Sequence, residues 1–369
     1  MTVIDAMIGD VRERAGNLWA LTVGDGIRPE RRTPHVVVGV GEHRTLLRFA
    51  DDGARAAARV AGGTPVLLVP PIAAPATCYD LSEEYSMVRH FADTGRVPYV
   101  VDFGEIGFRD RRMGLEDFVL DIIPQAIART VTDFYGADGA GDVDLVAWSL
   151  GGTLSFLTAG AVRRRIRSVT AVATPLDYMS LWGYPLAIAA NRPTGGVLPS
   201  AVIGLAGGIP APAVQLAYRA TSWQRELKKP WFILQNLGET EKLARMEVIN
   251  RFQRTFPGYP GRLTQQLWER LIYRGQLAAG LVRLDGVDVD LRSIDVPIQL
   301  FGSHRDALCT WRAARHGVDL FEGSPRVQFE TIESSHLGLI AGPDAVERTW
   351  PAIDAFLDSL APVGDPAAG

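Results

Sequence analysis

The chemistry-bearing stretch of this chain is Ala147-Trp148-Ser149-Leu150-Gly151, at the end of the apolar run "VDLVAWSLGG" over 143–152. A serine flanked two residues away on each side by tiny residues marks a nucleophile elbow. The tight strand-to-helix turn pushes the hydroxyl outward, and bulk at either flank would clash across it. Alanine replaces the usual first glycine and is still small enough. The helix expected over "GGTLSFLTAGAVRRR" aims its positive end at Ser149, which favours negative charge developing there. The chemistry of such a serine is nucleophilic acyl transfer.

A serine nucleophile needs a general base, and the base needs an orienting acid. Where the order is serine, acid, histidine, the partners follow at the ends of later strands. "GSHRDALC" offers Asp306 and "ESSHLGLIAG" offers His336, each just after an apolar run. His304 competes with His336, but chain order and the "SSHLG" turn favour His336. His35, His43, His90 and His316 lie far from the elbow in the chain. The oxyanion donors expected are the backbone N–H groups of Leu150 and of Ile72, the latter in the loop after "VLLVPP". No H-E-x-x-H or comparable metal spacing occurs, and "GVGEHR" lacks the third glycine and following helix of a dinucleotide fingerprint. No cofactor or metal is expected.

The elements that must position these groups alternate. Apolar runs at 35–50 (two strands about a glycine turn), 64–72, 97–104, 143–149, 168–177, 296–303 and 326–334 read as strands. Helical patterns lie between them, at 81–95 with an acidic first turn and at 114–136 ending on a glycine. This predicts a mostly parallel sheet covered on both faces. The alternation stops after Pro175, and "ETEKLARMEVINRFQRTF" and "GRLTQQLWERLIYRGQLAAGLV" read as helices before strands resume at Val296. The expected organisation is an N-terminal extension (1–34), an α/β core (35–177 and 294–360), an inserted helical cap (178–293) and a frayed tail (361–369).

Composition bounds the function. The chain has 369 residues, 47% apolar and 22% charged, with a formal net charge of −4. Nucleic acid is excluded as a partner, because phosphate binding concentrates Lys and Arg. Cys78 and Cys309 are expected to be free, buried thiols in a reducing compartment. The N-terminus lacks the apolar core of a secretion signal, so a cytoplasmic location is expected. The apolar stretch 195–218 is broken by Pro199, Pro210 and Pro212, which fits a hairpin better than a bilayer crossing. The basic run "RRRIR" at 163–167 reads first as a helix terminus matched to its dipole, with binding of CoA phosphates as the alternative.

The segments "LLVPPIAAPATCYDL", "VVDFGEIG", "LEDFVLDIIPQAI", "VDLVAWSLGG", "ATPLDY", "DVDLRSIDVPIQLFGSHRDALC" and "SSHLGLIAG" occur in the order seen in polyhydroxyalkanoate synthases. Over 35–345 the chain resembles that family, most closely its short type, which works with a second subunit. The resemblance implies an α/β-hydrolase core with a helical cap, and it carries the catalytic set onto Ser149, Asp306 and His336. Two departures stand out. The family has cysteine where this chain has Ser149, and commonly histidine where it has Ala307. A thiol keeps an acyl group's transfer potential as a thioester; a hydroxyl spends it on forming an ester. The expectation is therefore a serine hydrolase or acyltransferase for hydrophobic acyl esters or thioesters. The alternatives are a polymer synthase or depolymerase, and a non-catalytic protein bound to a synthase or a lipid granule. Expected partners are an acyl-ester or acyl-CoA substrate, a lipid or polymer-granule surface, and a second copy or a synthase-type second subunit.

Overall fold

A computed structural model describes residues 3–22, 26–27, 32–137, 139–162, 165–181, 183–220 and 223–360. The tail 361–369 and, in the basic run, Arg163 and Arg164 lie outside the described residues. Of that run, Arg167 is engaged with the buried Asp144 carboxylate, its Nε donating to Oδ1 at 2.9 Å.

The strands are β1 (Val36–Gly39), β2 (Thr45–Arg48), β3 (Val66–Val69), β4 (Pro98–Asp102), β5 (Val143–Trp148), β6 (Ile166–Val172), β7 (Gly208–Ile209), β8 (Tyr259–Pro260), β9 (Leu281–Leu284), β10 (Val287–Asp290), β11 (Ile298–Gly302) and β12 (Val327–Thr331). Eight of them form one sheet in the order β1-β2-β4-β3-β5-β6-β11-β12. Only the pairings of β2, with β1 and with β4, are antiparallel; the rest are parallel. This is the α/β-hydrolase fold. Every side chain of β3, β5 and β11 is buried, which is why these strands read as near-continuous apolar runs, interrupted only by Asp144 in β5 and Gln299 in β11, rather than alternating ones. Because the parallel strands point one way, the loops after β3, β5, β11 and β12 open on a single edge.

Between β6 and β11 the chain leaves this sheet. Helices run over Tyr184–Asn191, Val197–Ala206, Ala211–Ala220, Trp223–Gln235, Thr240–Arg254 and Gly261–Gln266, with the two small ribbons β7–β8 and β9–β10. The stretch 195–218 forms the helix Val197–Ala206 and most of the helix Ala211–Ala220. It breaks at Gly207 and Gly208, whose φ angles of 72° and 126° suit glycine alone. Among the described residues no helix is long and apolar enough to cross a membrane. The insert is tied back to the core by main-chain bonds from Arg262 and Leu263 to the carbonyls of Arg111 and Met113, both 2.9 Å. Gln266 adds two more links, accepting from Leu115 N and donating to the buried Glu116 carboxylate.

Three elements differ from expectation. The helix expected over 81–95 spans only Met87–Asp93. Asp80 is held by Thr33 through both its N–H and its hydroxyl, at 2.8 Å each, which pins 80–86 as a loop. Ser86 then caps the helix by accepting from Arg89 N. The 114–136 helix opens with a π turn, Asp117–Ile122, immediately ahead of Pro124, whose missing N–H breaks the regular ladder. The helix expected over 261–282 stops at Tyr273, and 281–290 is a β-hairpin instead. Asp285 and Gly286, at φ 44° and 84°, form its turn.

Candidate active site

β5 delivers Ser149 to the sheet edge in a strained backbone conformation, φ 54° and ψ −125°. Left-handed φ at a non-glycine residue persists only where the surroundings over-determine it. Here they do. Ser149 N–H donates to Val172 O at 2.8 Å, and its carbonyl accepts from Thr174 Oγ1 at 3.0 Å. A Cβ at Gly151 would sit 2.3 Å from Val69 O, and one at Gly152 would sit 2.0 Å from Thr174 Oγ1. Both glycines are therefore demanded by close approach. The helix Leu150–Ala161 starts directly at Ser149, with its N-terminal end against the hydroxyl-bearing residue.

Asp306 follows β11 and His336 follows β12. His336 Nδ1 lies 2.7 Å from Asp306 Oδ2, and His336 Nε2 lies 3.0 Å from Ser149 Oγ. A carboxylate offers only acceptors, so Nδ1 carries the hydrogen and Nε2 accepts from the Ser149 hydroxyl. The Asp306 side chain is fully buried and His336 nearly so, while Ser149 is partly exposed. The second Asp306 oxygen accepts from Leu308 N and Cys309 N at 2.8 and 2.9 Å, fixing the carboxylate plane.

The other sequence candidates fall as follows. Leu150 begins the helix directly after Ser149. Ile72 lies buried in the turn closed by Ala74 N–H to Pro71 O, next to the Val69–Pro70 backbone that Gly151 abuts. His304 turns outward, stacked on Trp311 at 5.1 Å with Nδ1 on Glu333. Cys78 and Cys309 are free and buried; burial pushes both thiols well up, and for Cys309 the Asp306 charge adds to it. In the insert, the Tyr218 phenol is raised, by burial first and then by Tyr259 and Asp306.

Two supports escape sequence reasoning. Thr174 braces the elbow carbonyl. Ser303, fully buried, donates to Ser334 O at 2.7 Å and accepts from Ser334 N and Arg305 N at 3.0 Å each. It thereby laces the loop carrying Asp306 to the loop carrying His336. Serine at the end of a strand is too common to have announced this. A group of metal-ligand type also gathers among the described residues, Glu42, His43 and Asp110, at the end of β4. Both His43 nitrogens already have protein partners, Phe103 O at 2.8 Å and Asp110 at 3.0 Å.

This sheet, with serine, histidine and aspartate in one hydrogen-bonded line at its edge, defines an α/β-hydrolase-fold enzyme. No family model matches the chain. Among curated proteins it is similar to the poly(3-hydroxyalkanoate) polymerase subunit PhaC of Haloferax mediterranei, 23% identical over 316 residues, covering 81% of this chain and 60% of that one. The PhaC subunit of Allochromatium vinosum is 21% identical over 300 residues, 80% of each chain. The chain is thus similar to polyhydroxyalkanoate synthases and has the α/β-hydrolase fold, and it spans about three fifths of the length of the Haloferax mediterranei relative. Among solved structures, an esterase from Rhodococcus sp. ECU1013 aligns with a TM-score of 0.47 at 16% identity, over 90% of this chain and 99% of that one.

Proposed function

We propose that this chain is a serine-dependent acyl-transfer enzyme, hydrolysing or exchanging hydrophobic fatty acyl or 3-hydroxyacyl esters and thioesters. The observation that carries the reading is the unbroken Ser149–His336–Asp306 line, with contacts of 3.0 and 2.7 Å. Ser149 Oγ attacks the acyl carbonyl carbon while its proton passes to His336 Nε2. Asp306 holds the imidazole in the tautomer that can accept it. The tetrahedral oxyanion takes the N–H groups of Leu150 and Ile72, each worth about 3 kcal/mol in the transition state. Collapse expels the alcohol or thiol, which leaves with the proton from His336. The same histidine then activates water or an acceptor alcohol to release the acyl group from Ser149.

The insert 178–293 acts as a cap gating access to Ser149, in support of which Thr310 Oγ1, four residues after Asp306, donates to the carbonyl of Ser180 in the insert at 2.9 Å. Its outward apolar side chains, Leu205 and Trp231 among them, suit a lipid or polymer-granule surface or a second subunit. The PhaC likeness favours one further reading, a polyester polymerase or depolymerase drawing on acyl-CoA or polymer. Serine argues for esters over polymer growth, since a seryl ester no longer holds a thioester's transfer potential.

A fluorophosphonate probe should modify Ser149 in the wild type and leave Ser149→Ala untouched. Folded wild-type protein that resists the probe would sink the reading. Turnover of p-nitrophenyl esters and acyl-CoAs of graded length then ranks substrates, and a polymer product would move the assignment to the second reading.

A further inference from the structure

Trp148, the residue immediately before Ser149, is 1% exposed, and its side chain meets the other end of the site. The indole Nε1–H donates to the main-chain carbonyl of His336 at 3.2 Å, in a buried setting. Its ring also lies against the imidazole, with centroids 5.2 Å apart and a 40° tilt. Ser149 and His336 are 187 residues apart in sequence, and their loops belong to different strands. Two other contacts hold the base, and each leaves a freedom. Asp306 fixes one ring nitrogen but not the backbone behind it. Ser303 fixes the backbone at Ser334, two residues upstream.

We propose that Trp148 is the positioning residue that sets the nucleophile-to-base geometry. Its N–H fixes the backbone of the base loop at residue 336, and its ring backs the imidazole. One rigid side chain, moving only in two torsions, thus links both ends of the Ser149–His336 hydrogen bond. The proposal rests on the reading of Ser149 as nucleophile. A displacement of about 1 Å between reacting groups costs on the order of a hundredfold in rate, so a strut of this kind acts on the chemical step and not on binding.

The test is the rate of fluorophosphonate modification of the full chain, resolved into a reversible binding constant and a maximal rate of inactivation. Trp148→Phe keeps an aromatic ring and removes the donor. It should lower the maximal rate about 10- to 100-fold with the binding constant unchanged. Should phenylalanine leave the chain unfolded by thermal melting, β-(3-benzothienyl)alanine at position 148 keeps the indole shape without the N–H and carries the same expectation. A folded variant modified at the wild-type rate overturns the proposal, as does a loss confined to the binding constant. Wild-type protein that is not modified at Ser149 removes the nucleophile reading and this one together, so the two failures are distinguishable.

Discussion

β5 and the helix Val197–Ala206 are both rich in apolar residues, and they use them in opposite ways. From Val143 to Trp148 every side chain is buried. In the inserted helix Leu205 is 90% exposed and Val197, Leu198 and Val202 face solvent too, while Ser200 is the buried residue. The side that faces the protein carries Ser200 beside the half-buried Pro199 and Ile203. Ser200 Oγ bonds the Glu269 carboxylate, and the Ser200 carbonyl accepts from Gln265 at 2.8 Å. Ordinary surface helices have the reverse arrangement. The same inventory of side chains serves in one place to lock geometry and in the other to present an unspent apolar face.

The comparison can be broken hardest at the locked end. Asp306→Asn keeps the shape of the acid but offers an amide to His336 Nδ1, which favours the wrong tautomer. Turnover of a p-nitrophenyl ester should fall about 10,000-fold, equivalent to roughly 5 kcal/mol of transition-state stabilisation. The protein should still fold. A loss under about tenfold (roughly 1.4 kcal/mol) would mean that the Asp306 contact does not orient the base.

The elbow should fail through stability instead. Gly151→Ala drives a Cβ to 2.3 Å from the Val69 carbonyl, which is backbone and cannot swing aside. Chemical denaturation should show a loss of about 3 kcal/mol or more, among the large single-site effects. Ser303→Ala is milder. It removes the donor to the buried Ser334 carbonyl and an acceptor for the Ser334 and Arg305 N–H groups, at about 1–3 kcal/mol. Because the residue laces the acid and base loops, ester turnover should also drop, by about tenfold, a misplacement of well under 1 Å. Stability lost with turnover intact would make Ser303 structural only.

The two regions also differ in how far sequence reveals them. The elbow is a local signal, small-x-Ser-x-small between a strand and a helix, and steric demand across one turn writes it into five adjacent residues. Asp306 and His336 are readable because each follows a run of apolar residues that ends at a parallel strand's tip. Elements decided by distant partners are not. Ser86 rather than Leu81 heads its helix because Thr33 holds Asp80. Thr174 and Ser303 look like any hydroxyl until their partners, 25 and 31 positions away, are in place. The β9–β10 hairpin did carry a local sign, Asp285-Gly286 between alternating valines, but the helical periodicity running up to it was the stronger pattern. In the insert the outward apolar face inverts the rule by which periodicity assigns an inside.

That inversion gives the smallest expected effect on the isolated chain. In Leu205→Gln, alone or with Val202→Gln, side chains already in water exchange one solvated group for another. Stability should stay within about 0.5 kcal/mol of the wild type, against about 2–5 kcal/mol for truncating a fully buried core leucine such as Leu154 to alanine. Turnover of a short, water-soluble ester should be unchanged, because none of the groups at Ser149 is touched. Adsorption to an apolar emulsion should weaken, since each buried leucine is worth about 1.5–3 kcal/mol. A concentration-dependent fall in melting temperature would assign the face to a second copy of the chain. Unchanged adsorption together with core-like destabilisation would erase the contrast between the two regions, because the face would then be packing and not contact surface.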